Sequence, residues 1–486
     1  MAKNFRVFYC DILFIQIFNK GFFHINTYKN KKVVVIGAGV SGQGLALLAK
    51  KLGAEVFVTE KNAINSEVKN IFSQNNIKFE ENGHSQNVFD NADEILISSG
   101  LRPDTEIFKR AQNSGIKLTG ELDFVIPNIN AEKIICITGS NGKSTVTSLT
   151  GHILSKLNLK TGTGGNLGTA SAKFTSEKFN AVVLELSSFQ LERAQNNLKS
   201  SVSIITNLAP DHIDWHGSYE NYAKAKSKIL SLRNHDGWGI IQDNDAKFIS
   251  QLNTNALTGK IITLSHSEQP LNNFSGHIFM DSGKAFLIMD GAKTCLFNYS
   301  DTNLIGEHNF ENVAMSLTAC RLAFPEHEQE FDNPKNLLDG FKALPHRCER
   351  AGEINGVLYI DDSKGTNVAA SNTAMKSIKM RKVIILGGQG KGEDYAPLAE
   401  VVKAECEDAV LIGEEADKIR VALEKSGFKN IHMAKTMKDA VKISSELAKP
   451  GMCVLLSPAC TSWDMYKSYK IRGEDFCNCV KELANP

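Results

Sequence analysis

The chain has 486 residues, 42% hydrophobic and 22% charged, a globular composition with room for roughly two to four domains. Fifty-five basic residues balance 54 acidic ones to a formal charge of +1, so no global field draws in nucleic acid or an anionic membrane. The ten cysteines are scattered and form no C-x-x-C pair, which excludes that zinc or dithiol motif and fits reduced, cytosolic usage.

Residues 1–30 are aromatic-rich. Their apolar run is broken by Asp11, lacks a small-residue cleavage site and is too short to span a bilayer. That leaves a disordered or interfacial extension, or an upstream start codon taken in error, and the last is favoured. Lys32–Ile36 then reads as a strand, Gly37-Ala38-Gly39-Val40-Ser41-Gly42 as a turn, and the next residues as a helix to about Leu52. A second strand, Glu55–Thr59, ends at Glu60. This is the G-x-G-x-x-G fingerprint in a β-α-β setting, with an acidic residue placed for ribose hydroxyls. It specifies a pyrophosphate and a ribose, and leaves open NAD(P) or another diphosphate such as UDP. Further strands are expected near Ile77–Glu80, Glu94–Ser98 and Lys117–Thr119, with the domain closing near Gly120–Phe124.

Ile134–Thr138 is a short β-branched strand. It runs into Gly139-Ser140-Asn141-Gly142-Lys143-Ser144-Thr145 and a helix through Leu154. Strand, Gly-rich turn and helix N-terminus make a phosphate cradle: backbone N–H groups point into the turn, Lys143 reaches the outer phosphates, and the Ser144 hydroxyl is placed for Mg²⁺. A full phosphate-loop motif has Gly where this chain has Ile137. Thr161–Gly168 reads as another Gly-rich turn. Ala181–Leu184 reads as a strand delivering Glu185, a carboxylate well placed for Mg²⁺ in such a sheet. Val202–Asn207 delivers His212, either a core or capping histidine or a ligand. The helix Tyr219–Ser231 carries Lys224, Lys226 and Lys228, on pattern alone a solvated face.

Residues 236–300 look like hairpins and turns. Gly306–Asn312 precedes a helix, Val313–Leu322, and sets His308, Asn309 and Asn312 to read a purine edge and ribose, or to serve as a cap with solvated Asn. The linker is about Asp332–Leu344. Strands then recur at Leu358–Asp361, Lys382–Leu386, Asp408–Ile412 and Met452–Leu456, a second doubly wound sheet. Three of its loops follow strands directly and gather along one edge: Asp361–Asn367, Gly387–Gly392 and Ser457–Asp464. Leu344-Pro345-His346-Arg347 lies beside them in the chain.

On TGSNGKST, ELSSFQLE, NLAPDHIDWHG, GEHNFENV, LPHR, DDSKGTN and LGGQGKGED, the chain resembles the Mur ligases, ATP-dependent amide-forming enzymes of peptidoglycan synthesis. The resemblance spans about residues 32–480. Its last stretch, LSPACTSWDMYKSYKIRGEDF, looks like the members that add D-glutamate to UDP-N-acetylmuramoyl-L-alanine through an acyl phosphate. The resemblance implies an α/β chain of three domains. Residues 31–121 would be a Rossmann-like domain for the UDP substrate. Residues 122–343 would be a central phosphate-loop ATPase domain with a mostly parallel sheet, and 344–486 a Rossmann-like domain for the amino acid.

Residue by residue, the resemblance puts Val40, Ser41 and Glu60 on the UDP moiety and Asn166 near its diphosphate or sugar. Gly139–Thr145 would hold the ATP phosphates, with Asn309, Asn312, Arg347 and Asp362 on adenine, ribose and phosphate. Ser144 and Glu185 would ligate one Mg²⁺, and Glu185 with His212 a second. Lys226 aligns with a lysine carbamylated in this family, which would serve the magnesium region as a carboxylate and reverses the solvated reading. Lys364 would sit near the transferred phosphate, and Thr366, Lys391, Ser462 and Tyr469 would grip D-glutamate. The partners implied are these small molecules, without nucleic acid or stable membrane insertion, for a cytoplasmic monomer whose linker acts as a hinge. The chain departs from the family's usual pattern at Ser99 (commonly Pro), Tyr469 (often Phe) and Glu60 (commonly Asp), and Tyr469 bears on the amino-acid pocket.

Overall fold

The computed structural model describes residues 27–484 except 197, 253–254 and 270–273. The readings for residues 1–26 lie outside the described residues. Three sheets follow one another along the chain, of five, nine and six strands.

The first sheet contains β1 (Lys32–Ile36), β2 (Glu55–Thr59), β3 (Lys78–Glu80), β4 (Glu94–Ile97) and β5 (Lys117–Gly120), in the order β3-β2-β1-β4-β5. All neighbours are parallel, and β1 and β4 are buried along nearly their whole length, as expected of strands covered on both faces. The order reverses between β1 and β4, so the turns after these two strands flank one crevice. Tyr28 anchors the described N-terminal end: its hydroxyl donates to Glu94 at 2.9 Å and its ring meets Phe124 edge-on.

The second sheet contains β6 (Ala131–Thr138), β7 (Thr161–Gly165), β8 (Phe179–Glu185), β9 (Val202–Ile205), β10 (Trp238–Gln242), β11 (Lys260–Ser265), β12 (Gly276–Asp281), β13 (Lys284–Met289) and β14 (Ala292–Asn298). Its order is β14-β13-β12-β11-β10-β9-β6-β8-β7, parallel from β7 to β12 and antiparallel beyond. Two expectations are corrected here. Thr161–Gly165 is an edge strand; only the residues after it turn. Its glycines admit Phe174 onto the sheet, since a Cβ on Gly162 would lie 2.7 Å from the Phe174 ring. Residues 238–265 extend the parallel sheet through β10 and β11 with a helix, Asp243–Ser250, between them, and the hairpins are confined to 276–298.

The third sheet contains β15 (Glu349–Ile354), β16 (Val357–Asp361), β17 (Lys382–Gly387), β18 (Cys406–Ile412), β19 (Ile431–Met433) and β20 (Cys453–Leu456), in the order β15-β16-β20-β17-β18-β19. Only β15 is antiparallel to its neighbour. Because β20 lies between β16 and β17, three strand-end turns far apart in sequence become neighbours. The expected linker is partly structured: the helix Pro334–Leu338 buries Leu337 and Leu338 in the core of the second sheet, so the stretch without regular secondary structure begins only at Asp339. Among the described residues no helix is long and apolar enough to cross a membrane.

Candidate active site

In the second sheet the order reverses between β6 and β9, and the turn after each strand bonds to the other. Ser140 N donates to the Asn207 carbonyl and Asn141 N to Asn207 Oδ1, each at 2.9 Å, and Ser140 Oγ donates to the Ala209 carbonyl at 2.9 Å. The helix Lys143–Lys156 has Gly142 as its N-cap with no side-chain cap, so its first N–H groups face the turn. Gly142 has φ +80°, and a Cβ there would lie 2.6 Å from Asn312 Oδ1. That close approach lets the Asn309–Asn312 pair stand over the loop. Asn312 Nδ2 donates to Asn309 Oδ1 at 3.2 Å, and Asn309 Nδ2 to the Ile305 carbonyl at 2.6 Å. Both sit on a helix running Glu307–Ala323, which starts six residues earlier than expected. Gly306, with φ +97°, caps it without a side-chain hydrogen bond, so no Ser, Thr, Asp or Asn announces the start.

A cavity of about 350 Å³ lies against this loop. Ser140–Thr145, Asn166, Glu185, Asn309 and Asn312 line it from the second sheet's side, and Arg347, Asp362 and Lys364 from the third. Arg347 Nη2 donates to Ser144 Oγ at 3.0 Å, a direct bond between the two units. Its neighbour His346, at φ +62°, donates through Nδ1 to Asp361 at 2.7 Å, and its backbone N–H donates to Glu349 at 2.9 Å. These bonds hold the turn that presents Arg347.

Glu185 is 3% exposed. Asn166 Nδ2 donates to its Oε1 at 3.1 Å, while Oε2 is buried without a partner. An orphaned carboxylate oxygen beside a phosphate loop fits a divalent cation, and the oxygen donor set of Glu185 and Ser144 suits Mg²⁺. Burial draws the Asp362 carboxyl up to about 7, with Ser457 Oγ donating to it at 2.7 Å. Burial, then the Arg347 guanidinium, draws Lys364 down to about 8, and its ammonium lies 5.3 Å from the Tyr469 ring centroid. Burial lowers His308 to about 4, leaving a neutral imidazole whose Nδ1 is buried and unpartnered at the cavity wall.

Lys226 is 2% exposed, so the solvated reading of its pattern is wrong; Lys224 on the same helix is exposed. Its Nζ donates to the Gly139 carbonyl at 2.8 Å and Thr138 Oγ1 at 3.3 Å. Lys143 Nζ also donates to the Gly139 carbonyl, at 2.7 Å, and to that of Ser140 at 2.8 Å. Burial, then the charge of Lys143, holds Lys226 well below the usual lysine range. As an amine it is a donor to two oxygens and fits no metal. His212, at φ +51°, is about half exposed and packs against Phe189 with centroids 4.9 Å apart; Asp211, not His212, lines the cavity.

The other expected residues lie outside this cavity. Val40 is exposed and Ser41 half-buried at the start of the helix Val40–Lys51, which also lacks a side-chain cap. Glu60 accepts the Ala38 and Asn62 N–H groups at 2.8 and 3.0 Å and so braces the glycine turn. Thr366, Lys391, Ser462 and Tyr469 occupy the turns after β16, β17 and β20 and the start of the helix Tyr469–Ala484. Ser462 is buried and Lys391 exposed. Sequence reasoning missed Arg472, which joins two of these turns. It also left Asp211, Cys348 and Asn367, all on the cavity wall, without a role. The only signal for Arg472 is a basic residue one helical turn beyond Tyr469.

Comparison with known proteins gives a match in each third of the chain. The MurD N-terminal domain model matches residues 32–107, the Mur ligase middle domain 137–320, and the Mur ligase glutamate ligase domain 346–460. The UDP-N-acetylmuramoylalanine–D-glutamate ligase of Bacteroides thetaiotaomicron is 33% identical over 460 residues, covering 93% of this chain and 100% of its own. That of Cytophaga hutchinsonii is 34% identical, over 94% of this chain and 100% of its own. The solved UDP-N-acetylmuramate–alanine ligase MurC of Thermotoga maritima shares the fold, with a TM-score of 0.54 at 17% identity over 93% of this chain and 99% of its own.

Proposed function

This chain belongs to the Mur ligase family, in the branch that carries a MurD N-terminal domain, and from that premise we propose that it ligates D-glutamate to UDP-N-acetylmuramoyl-L-alanine with ATP. The reaction passes through an acyl phosphate and yields ADP and phosphate. It supplies peptidoglycan precursor in the cytoplasm, and so cell-wall growth, cell shape and division. The observation that carries this reading is the cavity in which the phosphate loop and Glu185 of one unit meet Arg347, Asp362 and Lys364 of the next.

Residues 31–121 are the UDP-substrate unit, 122–343 the ATP unit and 344–486 the amino-acid unit of a monomer. The uncapped turn at Val40 and Ser41, braced by Glu60, receives the diphosphate, and Asn166 stands near the sugar end. A carboxylate is a poor electrophile and is repelled by triphosphate. Lys143 and the N–H groups of Gly139–Thr145 neutralise the phosphates, and Asn309, Asn312, Arg347 and Asp362 hold the nucleoside and its tail. Ser144 and Glu185 would hold one Mg²⁺; a second would take Glu185, a Lys226 carbamate and His212, which stands off the cavity wall and would have to turn inward, and such ions would offset triphosphate charge. Lys226 reaches that form by adding CO₂ to its neutral amine with loss of a proton, and its burial favours the neutral amine. Lys364 stabilises the phosphate as it transfers and leaves. Thr366, Lys391, Ser462 and Tyr469 orient the amine of D-glutamate for attack, and approach of the third unit keeps water from the acyl phosphate.

The test is phosphate release from ATP, Mg²⁺ and UDP-N-acetylmuramoyl-L-alanine across D-glutamate, L-glutamate, L-lysine, L-alanine and diaminopimelate. Release with D-glutamate alone, matched by product, supports the assignment. Release with another amino acid moves it to a sister ligase, and release independent of any amino acid refutes it.

A further inference from the structure

The first and second sheets are joined by a contact that the chemistry above does not use. The helix Ser188–Arg193 begins three residues beyond Glu185. A reciprocal cap fixes its start: Gln190 N donates to Ser187 Oγ at 3.2 Å and Ser187 N to Gln190 Oε1 at 2.9 Å. Its last residue, Arg193, reaches into the first sheet's unit. There Nη1 donates to the Ser98 carbonyl at 3.0 Å and Nη2 to that of Leu101, and the guanidinium lies 5.2 Å from the Phe108 ring centroid. The packing is close, since a Cβ on Gly120 would lie 3.4 Å from that of Arg193.

The turn it grips follows β4 at the reversal point of the first sheet. It abuts the glycine turn: Ser98 Oγ donates to the Ile36 carbonyl at 2.9 Å and would lie 2.7 Å from a Cβ on Gly37. No proline restrains Ser98-Ser99-Gly100-Leu101, so its shape depends on what holds its carbonyls. Two flanking contacts reinforce the junction. Arg102 Nη2 donates to the Asp214 carbonyl at 3.3 Å with its guanidinium 5.3 Å from the Trp215 ring centroid. Beyond the helix, Asp123 accepts the N–H groups of Gln195 and Asn196 at 3.1 and 2.9 Å.

We propose that Arg193 is a positioning residue: it fixes the distance from the first unit's diphosphate turn to Glu185, and so where the substrate carboxylate meets the ATP γ-phosphate. A capped helix of six residues is a rigid spacer of about 9 Å, with the metal-binding carboxylate near one end and a forked donor at the other. Misplacement of about 1 Å between reacting groups costs about 10²-fold in rate. The inference rests on the function proposed above.

Arg193→Met and Arg193→Lys in the full chain test it with two readouts. In hydrogen exchange, which needs no substrate, the amides of residues 98–102 and of Asp104 exchange about tenfold faster in R193M and less so in R193K. In steady-state turnover, R193M raises KM for the UDP substrate about tenfold and lowers kcat by up to about 10²-fold, while KM for ATP stays within about twofold and R193K recovers part of the loss. Unchanged exchange overturns the clamp. Faster exchange with wild-type KM and kcat overturns the positioning role, as does an equal rise in both KM values. A wild-type chain that never consumes the UDP substrate instead refutes the functional reading and the positioning role built on it, while exchange still reports the clamp.

Discussion

Replacing Arg472 by methionine removes four hydrogen bonds and strands the Ser363 and Cys460 carbonyls, while the Thr461 carbonyl keeps the Gln389 N–H and the Ser363 hydroxyl keeps its bond to the Tyr469 carbonyl. Arg472 is 2% exposed. Its Nε donates to Ser363 Oγ at 2.9 Å and Nη2 to the Ser363 carbonyl at 2.8 Å, while Nη1 and Nη2 donate to the Thr461 and Cys460 carbonyls, each at 3.1 Å. Bonds from a charged donor contribute about 1.5–3 kcal/mol each. Methionine avoids the several kcal/mol that burying a guanidinium costs, so the net loss is about 3–5 kcal/mol. At about 3 °C per kcal/mol for a unit of this size, the third unit's melting midpoint falls by about 10 °C. The guanidinium ties the turn after β16 to the turn after β20, and its Nη1 would lie 3.1 Å from a Cβ on Gly388 in the turn after β17. KM for D-glutamate therefore rises by about tenfold with KM for ATP little changed, and Arg472→Lys, keeping part of the fork, falls between. Differential scanning fluorimetry and substrate titration read both. A midpoint drop under about 2 °C with unchanged D-glutamate KM refutes the reasoning.

Lys143→Ala should keep the wild-type circular dichroism spectrum and lose about 10²–10³ in turnover, the usual cost of one charge-stabilising contact; a near-wild-type rate refutes the cradle. Lys364, drawn down to about 8, would act as the ammonium in the role proposed for it, so kcat/KM should fall as pH rises through about 8. Bound phosphate favours the charged form, so the limb in kcat lies at higher pH, and a kcat/KM profile level through that range refutes the role. A carbamate at Lys226 predicts that activity falls on exhaustive CO₂ removal and returns with bicarbonate, with a carbamate signal in ¹³C NMR that Lys226→Ala lacks. Indifference to CO₂ with no such signal refutes it.

Strands were legible at Lys32–Ile36 and Glu55–Thr59, where burial forces an apolar, β-branched run and the bounds were read to the residue, whereas the buried parallel strands β10 and β11 were read as parts of hairpins. Legibility failed at Thr161–Gly165, where the strand consists of threonine and glycine because Phe174 occupies the space of the missing side chains. It failed again at Glu307, where glycine provides the N-cap. The site divides in the same way. The phosphate loop, Glu185 and the three strand-end turns are local patterns. Arg472 and Arg193 act by reaching backbone carbonyls 11 to 109 and 92 to 95 residues away, and no local spacing encodes those targets.

Lys226 falls between these cases. The buried residues of its helix include Tyr222, Ala225, Ile229 and Leu230, so Lys226 sits on the apolar stripe, four residues after Tyr222 and four before Leu230. The spacing was readable, but lysine in a stripe is ordinarily taken to snorkel to water. Here the end of β6 closes that route, and the ammonium meets a hydroxyl and the Gly139 carbonyl, to which Lys143 is also bonded. A fold gains little by burying two like charges beside one carbonyl. Burial opposes a charge on both amines, but the foremost neighbouring charge at Lys143 is Glu185, which favours its ammonium, whereas at Lys226 it is Lys143, which opposes it.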